Sequence, residues 1–516
     1  MEAKRLCSLP KTTLKHRNEV IHMIETGFIS ILPPLIAIVL ALITKEVYSS
    51  LFLGVLSGMA IYVAAAHESL LAIFPHTFDM MAAKIADNAY MIIFLALLWA
   101  VITLVGRSGG SAAYGKWAER KLKSKRTTQL ATALLGVLIF IDDGFNCLTI
   151  GTVMRPIYDR QRISREKLAY IIDATAAPIC IIAPVSSWAV AVASEVSQTN
   201  GFHAFLATIP YNLYALLTIL MVVFVCITGM DFGKMKKAEA LAAQEGNETV
   251  AEESDNPTAQ SRGKVIDLVL PIVVLIVCAI FGMAYVGGFF NGVPFSQAIG
   301  ENPTAGLSLG AFAGLVTAFL MYLPRKILKP KEFVNAIVNG IGSIVPPMLI
   351  LILSWTLGGV CREMIGTGEF ISGFVSAAHL PLALLPFLIF IIAALMSFSM
   401  GTSWGTFGML IPIVTMICSS TGGDSILIPS LGATLAGSVY GDHCSPISDT
   451  TILASTGARC AHIRHVETQI PYATLVAIIC AAGYLIIGFT DTPWIGLGVS
   501  AVLLIAALLL LHRRKR

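Results

Sequence analysis

Along most of its length the chain alternates long apolar runs with short polar punctuation. Residues 31–44, 89–105, 205–228, 265–285, 466–488 and 493–511 are nearly free of charge and approach the roughly 20 apolar residues that a helix needs to cross a bilayer. Counted along the whole chain, the pattern predicts an all-α polytopic membrane protein with about 11 transmembrane helices. One long segment is plainly hydrophilic, residues 231–264, and its Glu, Lys, Ser and Gln bias predicts a solvated cytoplasmic linker. It separates two transmembrane halves, residues 28–230 and 265–490. An N-terminal tail (1–27) precedes them, and a C-terminal helix with a basic tail (491–516) follows.

The halves resemble each other. MIIFLALLW (91–99) and MLILILSW (348–355) end on Trp99 and Trp355. One constant shift lays Gly144, Asn146, Thr149 and Gly151 on Gly401, Ser403, Thr406 and Gly408, and APVSSW (183–188) then answers SPISDT (445–450). Each match is weak alone, but several in the same order read as an internal repeat. Basic clusters at 116–126, 155–167, in the linker, at 325–331 and at 513–516 belong on the cytoplasmic side. Two adjacent clusters on one side imply that the segment between them, 128–157, turns back inside the membrane as a re-entrant hairpin with DDGFN at its tip. Residues 381–418, around MGTSWG, form the matching hairpin from outside. A broken helix follows each, at 168–198 and 427–458. Two inverted repeats of this kind gather a binding site where hairpin tips and broken helices converge. The same scheme places the basic N-terminal tail outside, against the charge rule.

Composition sharpens this picture. Of 516 residues, 56% are hydrophobic and only 13% charged, and the mean hydropathy is +0.78, whereas soluble domains carry charge on about a quarter of their residues. The formal charge of +4 sits on loop Lys and Arg, which suits an anionic leaflet and calls for no nucleic-acid partner. Ten cysteines are scattered singly, without zinc-type spacing, and read as small buried hydrophobes. No cofactor is implied.

Ionisable side chains in apolar runs are costly, and each is a candidate for function. Asp142, Asp143 and Asn146 lie at the first hairpin tip and Thr402 and Ser403 at the second. Asp173, Ser186 and Ser187 belong to the first broken helix, and Asp442, His443, Ser445, Ser448 and Asp449 to the second. Gly or Pro interrupts each group, which frees backbone carbonyls and amides to meet an ion. Sodium is a hard cation that takes oxygen ligands, and Asp143, Asn146 and Asp449 are its candidate ligands. A carboxylate in low dielectric holds its proton more tightly, so sodium and protons compete for the same oxygens. The plainer reading is that these Asp residues cap half-helices or neutralise loop arginines. His443 beside Cys444 could suggest a nucleophile and base, but adjacent residues on a helix diverge by roughly 100°, and His443 reads better as a proton-sensitive neighbour of the site.

GDHCSPISDTTILAST (441–456), FIDDGFNCLTIGTVMRP (140–156) and ISREKLAYIIDATAAPICIIAPVSSW (163–188) resemble the NhaC-type sodium/proton antiporter family across most of residues 90–460. The resemblance implies a multi-pass secondary transporter of a prokaryotic plasma membrane, dimeric, moving by an elevator-type mechanism. Sodium ions and protons would be its cargo, and the resemblance carries a functional role onto Asp142, Asp143, Asn146, Asp173, Ser186, Ser187, Asp442, His443, Ser445, Ser448 and Asp449. Gly144 stands where an aromatic follows the Asp pair in that family, and this departure leaves room for the alternative: coupled transport of a small organic acid, such as malate or lactate, or of an amino acid.

Overall fold

The structure is a computed structural model. It describes residues 23–24, 26–44, 46–110, 113, 121–196, 200–245, 263–295, 298–299, 302–367, 370, 381–420 and 423–513. The N-terminal tail up to residue 22, part of the basic cluster at 116–120 and the linker stretch 246–262 lie outside these.

The described residues are helical throughout their regular structure. The first half runs α1 (Leu32–Thr44), α2 (Val47–Ala65), α3 (Ile73–Asp87), α4 (Ala89–Arg107), α5 (Lys125–Leu138), α6 (Asp143–Arg160), α7 (Arg165–Cys180), α8 (Ser187–Glu195), α9 (Gly201–Thr208) and α10 (Leu213–Thr228). A connecting helix α11 (Gly233–Glu245) follows. The second half runs α12 (Val265–Val286), α13 (Pro303–Tyr322), α14 (Pro330–Gly359), α15 (Leu385–Met400), α16 (Ser403–Ser420), α17 (Asp424–Cys444), α18 (Asp449–Ala458), α19 (His462–Thr490) and α20 (Pro493–Arg513). Among the described residues ten helices are long and apolar enough to cross a membrane, and a shorter apolar one spans Gly27–Ala41. Large apolar side chains such as Phe281 (63% exposed) and Leu320 (62%) face outward, as a lipid-facing surface requires.

Polar caps set the interruptions. Ser124 caps α5 with a capping box, and Asp142, Ser164, Ser186 and Ser448 cap α6, α7, α8 and α18 by accepting backbone N–H bonds. Each cap satisfies an amide that the first turn leaves without a partner. Residues 181–186, with Pro184, separate α7 from α8, and residues 445–448, with Pro446, separate α17 from α18. In chain order, α5 and α6 precede α7 and the shorter α8, and α15 and α16 precede α17 and the shorter α18. The arms of the second hairpin, of 16 and 18 residues, are about 24 and 27 Å long at helical rise.

The segment read as a solvated linker begins differently. Residues 233–245 form α11, which packs on α19 and α7. GKMKKAEALAAQE is rich in strong helix formers, and Met235, Ala238 and Ala242 are buried along one face. Glu239 on α11 accepts bonds from Ser164 N (2.8 Å) and Oγ (2.5 Å). A polar composition hid a helix whose few apolar positions are correctly spaced.

Two packing groups result. Helices α1–α4 and α12–α14 pack chiefly on one another, as do α5–α11 with α15–α20. The groups meet where α14 lies against α16 and α8, where α4 lies against α8, and where α1 lies against α15 and α16.

Candidate ion-binding cavity

Each hairpin tip is tied to the break in its own half by main chain. Ser187 N donates to Ile141 O at 2.9 Å, and Asp449 N donates to Gly401 O at 3.3 Å. Gly401 has φ +69°, and a Cβ there would stand 2.5 Å from Ile447 O, so the second tip needs glycine on both counts. Across the halves, α6 packs on α18 and α16 packs on α8, which brings both tips and both breaks to one place.

There they enclose a cavity of ≈ 310 Å³. Asp142, Asp143 and Gly144 enter it from the first tip, Thr402, Ser403 and Trp404 from the second, and Asp442, Asp449 and Thr450 from the second break. Tyr48 of α2, Trp99 of α4, and Ser343, Pro346 and Pro347 of α14 form the opposite wall. Pro346 and Pro347 lack the N–H that a helix would aim at the carbonyls four residues earlier, so Gly342 and Ser343 keep free acceptors. Among the described residues no Lys, Arg or His lines the cavity.

The four carboxylates are held in different ways. Asp142 accepts from Phe145 N at 3.0 Å and from Ser187 Oγ at 3.2 Å. Asp143 accepts from Trp188 Nε1 at 3.1 Å. Asp442 accepts from Ser403 Oγ at 2.8 Å and Thr450 Oγ1 at 3.4 Å, while its Oδ1 has no partner. Asp449 is exposed to the open volume. Asp142, Asp143 and Asp449 stand at helix N-termini, where the dipole favours an anion; Asp442 is near the C-terminus of α17, where it does not. Capping therefore accounts for three of them in part and leaves Asp442 unexplained.

The remaining predicted residues lie outside the cavity lining. Asn146 Nδ2 donates to Gly136 O (2.8 Å) and Ile139 O (2.9 Å), bracing the end of α5, and its Oδ1 is left without a partner. Ser186 and Ser448 are caps, and the Ser445 carbonyl accepts from Thr451 Oγ1 at 3.3 Å. Asp173 and His443 sit in a separate buried cluster. Asp173 Oδ2 accepts from Gln469 Nε2 at 2.6 Å and is 3.2 Å from His465 Nε2. His443 Nδ1 is 3.0 Å from Tyr214 Oη, and its Nε2 is 4.0 Å from Asp173 Oδ1.

Four residues escaped sequence reasoning: Trp188, which binds Asp143, then His465 and Gln469 at the start of α19, and Glu195 at the end of α8. The signal for Glu195 was available, an acid closing the apolar run WAVAVAS. Trp188 was masked by the usual role of membrane tryptophans as anchors.

A model of the Na+/H+ antiporter family matches residues 189–489. The chain is 36% identical over 507 residues to an uncharacterized protein of Haemophilus influenzae, covering 94% of this chain and 95% of that one. The chain belongs to the Na+/H+ antiporter family. It is accordingly an antiporter, a multi-pass membrane protein and not an enzyme. Partial matches include a malate-2H+/Na+-lactate antiporter of Bacillus subtilis, 32% identical over 35% of this chain and 42% of the relative. An arginine/ornithine antiporter of Halobacterium salinarum is 36% identical over 30% of each chain. The YdaH transporter of Alcanivorax borkumensis shares the fold at a TM-score of 0.54 and 13% identity, over 84% of this chain and 91% of that one.

Proposed function

We propose that this antiporter exchanges sodium ions for protons across a prokaryotic plasma membrane, and that the cavity is where they compete. One observation carries the reading: four carboxylates converge on a single cavity that, among the described residues, no basic side chain lines. Asp143 and Asp449 bind the ion directly, with lining hydroxyls and freed carbonyls completing an oxygen shell, while Asn146, outside the lining, holds the end of α5 in place. Sodium cannot enter while its oxygens hold protons, so one cargo displaces the other. The two hairpins act as re-entrant elements of inverted repeats, meeting at mid-depth. Because the cavity lies between the two packing groups, an elevator-like slide of α5–α11 and α15–α20 along α4 and α14 carries it from one face to the other.

The test uses the purified full chain in vesicles with a pH-sensitive dye. Added sodium, with no organic solute, should dissipate a preset proton gradient, and Asp143→Asn or Asp449→Asn should abolish the response. A response that survives both substitutions removes this site from the mechanism.

The cavity volume supports a second reading, coupled transport of an organic solute, since ≈ 310 Å³ reaches the range of small-molecule sites, about 300–1,000 Å³. Its charge fits a cationic amino acid better than a carboxylate. A dye response that requires an amino acid, malate or lactate would select this reading.

A further inference from the structure

Outside the cavity, one buried acid has no role in the exchange described so far. Glu195, the last residue of α8, is 2% exposed. Its Oε2 lies 3.1 Å from Ser354 Oγ of α14, across the contact between the two packing groups, and its Oε1 has no hydrogen-bond partner.

Counting hydrogens decides the state of this acid. Ser354 Oγ also bonds the carbonyl of Gly408 on α16. That carbonyl lacks its helical donor, because the residue four positions on is Pro412 and proline has no N–H. The single hydroxyl hydrogen of Ser354 is therefore taken by Gly408. The contact between Ser354 Oγ and Glu195 Oε2 then needs a hydrogen from the glutamate, in the order Glu195 O–H to Ser354 O–H to Gly408 carbonyl. A neutral acid also tolerates the unpartnered Oε1, whereas a buried carboxylate oxygen without a donor would be far more costly. Arg362, just after α14, is the charged group that bears on Glu195, but its Nε donates to Gly358 O at 3.3 Å. The other ionisable groups on helices packed against α8 include His203 on α9, Arg107 ending α4, Lys331 and Glu332 opening α14, and Asp173 on α7. None of these bonds Glu195.

We propose that Glu195 is a proton-carrying site, separate from the cavity, loaded in this state at the closed contact between the two helix groups. When the groups part there, the acid meets water, its O–H bond breaks and the proton passes to water. On return, a proton from water restores the O–H bond and the chain of hydrogen bonds to Gly408.

Infrared spectra of the purified full chain test the loaded state: the carboxylic-acid C=O band should lose intensity in Glu195→Gln and shift in frequency in Ser354→Ala. An unchanged band in both variants overturns the proposal. That Glu195 carries a proton of the exchange rests on the sodium/proton reading above. Glutamine keeps the bond to Ser354 but cannot release a proton, so Glu195→Gln should bind sodium within about threefold of wild type, while sodium-driven proton movement falls at least tenfold. Wild-type rates in that variant overturn the carrying role. A wild type that moves no protons with sodium would instead undo the proposed function and leave the infrared result to stand on its own.

Discussion

The chain places acids that look alike in sequence in two settings that differ in space. Around the cavity, Asp142, Asp143, Asp442 and Asp449 share one open volume with no basic partner among the described residues. One helix further along the chain, Asp173 is enclosed by Gln469, His465 and His443, beside a void of only ≈ 10 Å³, scarcely room for one water. Polarity is common to both, and so is burial except at Asp449. What separates them is room and counter-groups: among the described residues no basic side chain lines the first set's cavity, whereas the second already has its donors.

Substitutions can break this contrast or sharpen it. The largest effect is expected at Asp143 or Asp449: an Asn at either should slow sodium-driven proton exchange at least 100-fold, about 2.7 kcal/mol in the transition barrier, with the folded fraction unchanged on size exclusion. Next comes Asp173→Leu, which strands His465 and Gln469 donors in the interior and should cost about 3–5 kcal/mol of stability. It should be seen as a lower melting temperature in detergent, with sodium affinity in the surviving protein within about threefold. A sodium affinity loss above tenfold would move Asp173 into the ion site and erase the contrast.

Gly144→Phe should act through space alone. A Cβ there would already stand 3.2 Å from Leu453 Cδ1 and 3.9 Å from Trp99, so the ring has to occupy the cavity, and exchange should drop roughly tenfold by the cost of overpacking, about 1–3 kcal/mol. The smallest change is Trp188→Phe, which removes one neutral donor from Asp143, worth about 1 kcal/mol. Sodium affinity by calorimetry should shift by roughly fivefold, and no shift would show that the indole only fills volume.

How much of this could be read in advance depends on where each contact comes from. The tips and breaks were legible because Asp142, Asp143, Asp442 and Asp449 are acids in apolar runs next to Gly or Pro, a signal that local chemistry makes. The opposite wall was not, since Tyr48, Trp99 and Pro346 are ordinary membrane residues until packing sets them facing the tips. Asn146 and Asp143 carry the same local signal, yet one braces a helix end and the other opens to the cavity; only the path of α5 distinguishes them. Gln469 was lost inside the apolar run 466–488, and His465 stands just ahead of it. The start of α11 was hidden by the opposite error, a charged composition outweighing three apolar positions on one face.

The two main-chain ties, from Ser187 to Ile141 and from Asp449 to Gly401, use no side-chain atoms. The frame of the chamber is thus indifferent to which functional groups decorate it. Within such a scaffold, cargo preference can drift by exchanging lining residues one at a time, with the architecture that presents them left untouched.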